Sequence, residues 1–243
     1  MRIKMSGSTH VGRVRKNNQD SFYFDSTHGI AIVADGIGGR KGGEVASQMA
    51  VAGMKDEFIK ADCLRTEEIN PFLSSTVDRV NQGIIERGEL DPSIKGMGTT
   101  LNFLLFVADK LHIAHLGDSR TYLYDRGHLW QLTLDHNIET FIERGWMKQS
   151  DIAPNTQEGD LVRSMGLAGR CEADLYEIKL RSGQIFLTCS DGLTGMVSDR
   201  KISEIITQNA NNISKLPKVL IDAANQNGGK DNITVVVSQV VGV

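Results

Sequence analysis

Five aspartates stand where runs of β-forming residues begin or end. Asp35 follows Ile30–Ala34 and precedes Gly36, and Asp191 follows Ile185–Ser190 and precedes Gly192. Asp118 closes Leu111–Leu116 within Gly117-Asp118-Ser119-Arg120, Asp231 opens the last run in Asp231-Asn232-Ile233-Thr234, and Asp20 stands just before Phe22–Phe24. Carboxylates gathered at neighbouring strand ends supply the oxygen ligands that hard cations such as Mg²⁺ and Mn²⁺ require. A glycine beside such a ligand lets backbone approach closely and offers its own carbonyl. Taken singly, each Asp-Gly reads as a turn or a helix cap. Five together are poorly explained as turns, and clustered carboxylates repel unless a cation or protons balance them. The set therefore favours a metal site.

Other polar features carry less alone. Arg15, five residues before Asp20, is either a bidentate phosphate clamp or a solvated arginine. The stretch from Gly36 to Gly43 resembles a phosphate cradle, but Lys41 stands where G-x-G-x-x-G requires its third glycine, and it is no Walker A. A tight metal-site loop fits it better, with Glu44 and Ser47 in the following helical turns. Cys189 lies inside an apolar run and reads as core, and His115 as a satisfied core histidine, whereas His136 stands beside an irregular segment. No cysteine has an arginine six residues on, and no G-x-S-x-G, H-E-x-x-H or C-x-x-C occurs.

The elements that must position these groups are short β-runs at Phe22–Phe24, Ile30–Ala34, Leu101–Val107, Leu111–Leu116, Thr121–Tyr124, Leu129–Leu132, Leu175–Leu180, Ile185–Cys189 and Ile233–Val241. Several are apolar almost throughout, as in strands covered on both faces. Helical tracts are expected at Gly43–Lys60, with Val45, Met49, Met54 and Phe58 on its buried face, and at Thr66–Glu86, Ser198–Asn209 and Ser214–Asn227. Strands, helix pairs and strands again predict an α/β (α+β) fold: a four-layer α-β-β-α sandwich of two mostly antiparallel sheets flanked by helix pairs. The segment at about 137–166, with a short helix at Ile138–Arg144, reads as a flap subdomain inserted into one domain spanning 1–243.

The 243-residue length suits one large domain, and a 40% hydrophobic share supports a full core. A net charge of −3 gives no reason to expect nucleic acid or anionic lipid as a partner. Three scattered cysteines (Cys63, Cys171 and Cys189), the lack of an apolar leader and the lack of a membrane-length apolar run point to a cytoplasmic protein.

In order along almost the whole chain, the motifs resemble the PPM family, the type 2C metal-dependent protein phosphatases, in their compact bacterial form. The matching stretches are Gly12–Asp20, Val33–Gly39, Gly43–Ser47, Gly96–Thr100, Gly117–Arg120, Leu132–Asn137, Leu187–Leu193 and Asp231–Thr234. The resemblance implies two or three Mn²⁺ or Mg²⁺ ions. Asp35 would bridge two of them, Asp191 and Asp231 would complete the first, and the Gly36 carbonyl would help hold the second. Asp118 with Asp191 would hold the third, Asp20 would hydrogen-bond metal-bound water, and Arg15 would bind the substrate phosphate. Gln19 stands where many members carry glutamate. Arg40 stands where many bacterial members carry histidine, and is offered as a further phosphate-binding group. Ile37 stands where many eukaryotic members have the histidine proposed as general acid. That role is left unassigned, with water on the metal as the default.

The implied reaction is one-step hydrolysis of phosphoserine and phosphothreonine by water activated between two ions, without a covalent phosphoenzyme. The expected partners are phosphoproteins, including a Ser/Thr kinase or its targets, and the expected state is a monomer. Two alternatives stay open: a phosphoprotein-binding pseudophosphatase, and a partner-switching phosphatase for one phosphoserine regulator.

Overall fold

In the computed structural model, residues 1–37, 42–61, 65–153, 156, 159–167 and 171–243 are described. One sheet takes strands from both ends of the chain: β1 (Arg2–His10), β6 (Arg120–Asp125), β7 (His128–Gln131), β9 (Ile185–Cys189) and β10 (Ile233–Gly242), in the order β1-β10-β9-β6-β7. The other contains β2 (Asp20–Asp25), β3 (Ile30–Asp35), β4 (Leu101–Val107), β5 (Lys110–Leu116) and β8 (Asp174–Lys179), in the order β2-β3-β4-β5-β8. Every neighbouring pair is antiparallel.

The period-2 alternation of a strand explains why the inner strands are apolar on both faces. Ile30, Ile32 and Ala34 of β3 face α1 (Gly43–Lys60) and α2 (Thr66–Leu90), packing with Ala50, Met54, Leu73 and Val77. The intervening Ala31 and Val33 point at the opposite sheet, among Leu104, Phe106, Phe186 and Val236. On the far side Val235 and Val237 of β10 meet Ile202 and Ile206 of α5 (Asp199–Asn209) and Leu216 and Leu220 of α6 (Leu216–Gln226). The result is the four-layer sandwich of helices, two sheets and helices.

Four details differ from the sequence reading. The N-terminal segment forms β1 and pairs along the length of β10, from Arg2 opposite Gly242 to His10 opposite Ile233. As an edge strand with only Ile3 fully buried, β1 lacks the apolar run that marks its neighbours. Asp191 opens a four-residue helix, α4 (Asp191–Thr194), too short to show a periodic pattern in the sequence. The buried stripe of α1 is Ala46, Ala50, Val51 and Met54, with Val45, Met49 and Phe58 only partly buried, because small residues let the helix sit close to β3. α2 runs on to Leu90, past the expected end at Glu86.

The segment expected to be a flap carries α3 (Ile138–Glu143) and a 3₁₀ turn at Gln149–Asp151. Its two ends meet where Ile138 N donates to Asp160 O at 3.1 Å and Val162 N to His136 O at 2.7 Å.

The inter-sheet layer holds the two sheets in register, and Phe186 fills its middle with its ring edge-on to Phe106 at 5.5 Å. Phe186→Ala should cost about 3–5 kcal/mol in urea unfolding. A loss below about 1 kcal/mol would mean that this layer is not a close-packed core.

Candidate active site

The strand register brings the five aspartates to one end of the sandwich. Asp20 at the start of β2 lies directly opposite Asp35 at the end of β3. Cys189, the last residue of β9, is paired with Arg120 of β6, so that Asp191 just beyond it faces Asp118 just before β6. β10 starts beside the same edge, which places Asp231 there as well. A cavity of about 350 Å³ opens among Arg15, Asp35, Gly36, Asp118, Asp191 and Asp231, with Asp160 and Leu161 of the 137–166 segment on its rim.

Two glycines make this convergence sterically possible. A Cβ on Gly36 would lie 2.3 Å from the Gly43 carbonyl oxygen, and one on Gly192 would lie 1.9 Å from that of Asn232. No side chain fits at either place, which is the physical content of Asp-Gly at both strand ends.

A polar frame fixes the carboxylates from behind. Asp20 is buried, and its Oδ2 accepts from Ser190 Oγ at 2.8 Å and from Thr234 Oγ1 at 2.6 Å. Thr100 Oγ1 accepts from Asp35 N at 2.9 Å and meets Ser119 Oγ at 2.8 Å, joining the Asp35 and Asp118 loops. Asn232 is the anchor of the N-terminal loop: its Nδ2 donates to Val11 O and to Asn17 O, both at 2.9 Å, and its Oδ1 accepts from Gln19 N at 2.8 Å. Ser190, Thr234 and Asn232 lie inside motifs noted above, but no positional signal in the sequence separates them from ordinary strand-end residues.

The electrostatics of this arrangement are unfavourable without a counter-charge. Burial, and then the charges of Asp20, Asp191 and Asp118, raise the Asp35 carboxyl well above the ordinary carboxylate range. Burial followed by the Asp191 and Asp135 charges pushes Asp118 up to about 7. Asp191 is raised by burial and by Asp231, and Asp20 is raised by burial to about 6 against its hydroxyl donors. Oδ1 of Asp20 and Oδ1 of Asp191 are buried with no hydrogen-bond partner among the described residues. Orphaned oxygens in an all-oxygen donor set, crowded with like charge, fit a hard divalent cation. Among the described residues no three His, Cys, Asp or Glu side chains form a ready-made ligand group.

Arg15 does reach the cavity, but its Nη2 bonds Asp231 Oδ2 at 2.7 Å, tying the expected phosphate clamp to an expected metal ligand. Gln19 turns its amide Nε2 to Glu44 Oε2 at 3.0 Å, at the back of the Gly36 turn. Arg40, the second expected phosphate-binding residue, lies outside the described residues. Cysteine chemistry is disfavoured at both described thiols. Cys189 is buried in β9 with its pKa raised by burial, and burial pushes Cys171 up to about 12. His115 is a buried core residue, with Nδ1 2.8 Å from Asn102 Oδ1 and Nε2 2.8 Å from Leu134 O, and its neutral ring donates to one of these two oxygens.

The chain is similar to known proteins in sequence and in fold. Residues 7–220 match the protein phosphatase 2C family. The serine/threonine phosphatase stp of Listeria monocytogenes serotype 4b is 37% identical over 232 residues, covering 93% of this chain and 92% of that protein. The crystal structure of the Mycobacterium tuberculosis serine/threonine phosphatase PstP/Ppp superposes with a TM-score of 0.86 at 32% identity, covering 100% of both chains. The catalytic domain of PstP in complex with two manganese ions gives a TM-score of 0.83 at 34% identity, covering 99% of both.

If Asn232 anchors the loop that carries Arg15 and Asp20, Asn232→Ala strands three backbone partners, those of half-buried Val11 and Gln19 and of exposed Asn17. It should cost at least about 2 kcal/mol in denaturant unfolding and open residues 11–19 to proteolysis. An unchanged midpoint with an intact loop would remove Asn232 from the frame.

Proposed function

The chain belongs to the protein phosphatase 2C family, and from that premise we propose that its strand-end carboxylates and Arg15 carry out the family's reaction. The protein is a Mn²⁺- or Mg²⁺-dependent protein serine/threonine phosphatase, and its substrates are phosphoproteins. The observation that carries the residue assignment is the crowding of Asp35, Asp118 and Asp191 around one cavity, with Oδ1 of Asp191 unpartnered.

In this reading Asp35, Asp191, Asp231 and the Gly36 carbonyl would hold two ions, and Asp118 with Asp191 would hold a third. Bound divalent ions supply a water of lowered pKa as the nucleophile and positive charge to offset the phosphoryl oxygens. The chain's own side chains do the rest. Asp20, fixed by Ser190 and Thr234, presents its free Oδ1 to orient water and hold its proton. Arg15 exchanges Asp231 for the substrate phosphate, whose oxygens its planar guanidinium matches bidentately. That exchange is cheap, because a pair with side chains 42% and 34% exposed falls among those worth only about 0–1 kcal/mol. The raised cysteine pKa values support hydrolysis without a cysteinyl intermediate.

We further read residues 1–243 as one catalytic domain, with 137–166 as a flap whose Asp160 and Leu161 border the substrate entrance. A cytoplasmic monomer acting on a Ser/Thr kinase or its targets is the finer form of this proposal. No described helix is long and apolar enough to cross a membrane.

Purified protein should hydrolyse p-nitrophenyl phosphate and a phosphothreonine peptide with Mn²⁺ or Mg²⁺ and stop with EDTA. Asp35→Ala should lose well over tenfold in kcat/KM on both substrates, and retention within about tenfold, or 1.4 kcal/mol, would contradict the assignment.

A further inference from the structure

One buried side chain bonds both to the Asp118 loop and to the foot of the 137–166 segment. His136 is 1% exposed and lies between Asn137, where the segment begins, and the glycine preceding Asp118. Its backbone N donates to Gly117 O at 2.8 Å, and its ring Nδ1 accepts from Gly117 N at 3.2 Å. Because Nδ1 is an acceptor, the ring proton is on Nε2, which donates to Asp174 Oδ2 at 3.1 Å. Asp174 also takes Arg163 Nη1 at 3.0 Å, and Arg163 lies over the Phe141 ring at 5.5 Å. The His136 carbonyl receives Val162 N at 2.7 Å. One edge of the imidazole therefore holds the metal-site loop, and the other holds the return limb of the segment through Asp174 and Arg163.

None of the roles assigned above uses His136. A side chain needed only to fill space there would not require two oppositely directed, tautomer-specific bonds to two separate pieces of the site. Partners one bond removed from a metal ligand typically change metal affinity about 10–100-fold when lost. The Nδ1 side of His136 acts on Asp118 one step further back, through the backbone N of Gly117, and the Nε2 side acts through Asp174 on Arg163 of the segment that borders the cavity.

We propose that His136 is a positioning residue with two separable functions: its Nδ1 sets the Gly117-Asp118 loop for cation binding, and its Nε2, through Asp174, sets the 137–166 segment for phosphoprotein binding. The proposal rests on the roles given above to Asp118 and to that segment.

Two conservative variants split the functions. In His136→Asn an amide oxygen can stand near the place of Nδ1, but the side chain is too short to reach Asp174. In His136→Gln the amide nitrogen can reach Asp174, but no acceptor faces Gly117. Full-length wild type and both variants would be titrated with Mn²⁺ by calorimetry without substrate. They would then be assayed on p-nitrophenyl phosphate and on a phosphothreonine peptide, with thermal midpoints as a control.

His136→Asn should keep Mn²⁺ affinity within about threefold and raise KM for the peptide about tenfold, with KM for p-nitrophenyl phosphate unchanged. His136→Gln should weaken the Asp118-dependent Mn²⁺ site at least about tenfold and leave peptide KM near wild type. Should His136→Asn not fold, Asp174→Ala takes its place, with the same expected rise in peptide KM and retained Mn²⁺ affinity. Parallel losses in both readouts that follow the thermal midpoints, or no change in either, would overturn the proposal. Absence of wild-type turnover would instead strike the phosphatase reading, and the Mn²⁺ titrations of the variants would still decide the role of the Nδ1 side.

Discussion

The structure depends on bringing several carboxylates to one recessed point, where they repel one another. Asp20 and Asp35 face each other across a β-pair, and Asp118, Asp191 and Asp231 arrive from the ends of three more strands. Without a counter-charge, burial and the neighbouring charges raise the Asp35 and Asp118 carboxyls above the ordinary carboxylate range. Holding such a cluster together costs stability, which a functional site can incur when the rest of the fold supports it. Here the support is two antiparallel sheets with three apolar layers.

The supporting groups are uncharged. Ser190 and Thr234 aim hydroxyls at Asp20, Thr100 ties the Asp35 backbone to Ser119, and Asn232 holds the loop from Val11 to Gln19. Donors of this kind keep a carboxylate in place without neutralising it, so its charge remains available to a cation. Arg15 is the exception, since its guanidinium partly offsets the charge of Asp231. Its dual position links charge balance at rest to phosphate binding in the reaction.

Much of this was legible in the sequence because it follows from short-range rules. Apolar runs covered on both faces marked the inner strands, and aspartate at their ends marked the site. The antiparallel sandwich follows from strands and helix pairs in that order. β1 was missed because an edge strand reading Arg2-Ile3-Lys4-Met5-Ser6 carries little periodic signal, and its pairing partner lies more than 200 residues away. The frame residues were hidden for a similar reason: Thr234 on Asp20 and Asn232 on Val11 are contacts across the whole chain, which spacing cannot reveal. The Arg15–Asp231 pair has the same origin. In the sequence His136 shows only its place beside an irregular segment, because its two bonds depend on how Gly117 and Asp174 converge.

The central claim is that carboxylate repulsion destabilises the metal-free fold and is relieved by divalent cations. Thermal unfolding of the wild type and Asp118→Asn, in EDTA and again with saturating Mn²⁺, tests it directly. The variant should melt higher than the wild type in EDTA, since one repelling charge is gone. It should also gain less from Mn²⁺, since a ligand is gone. A variant that melts lower in EDTA and gains as much from Mn²⁺ as the wild type would contradict it.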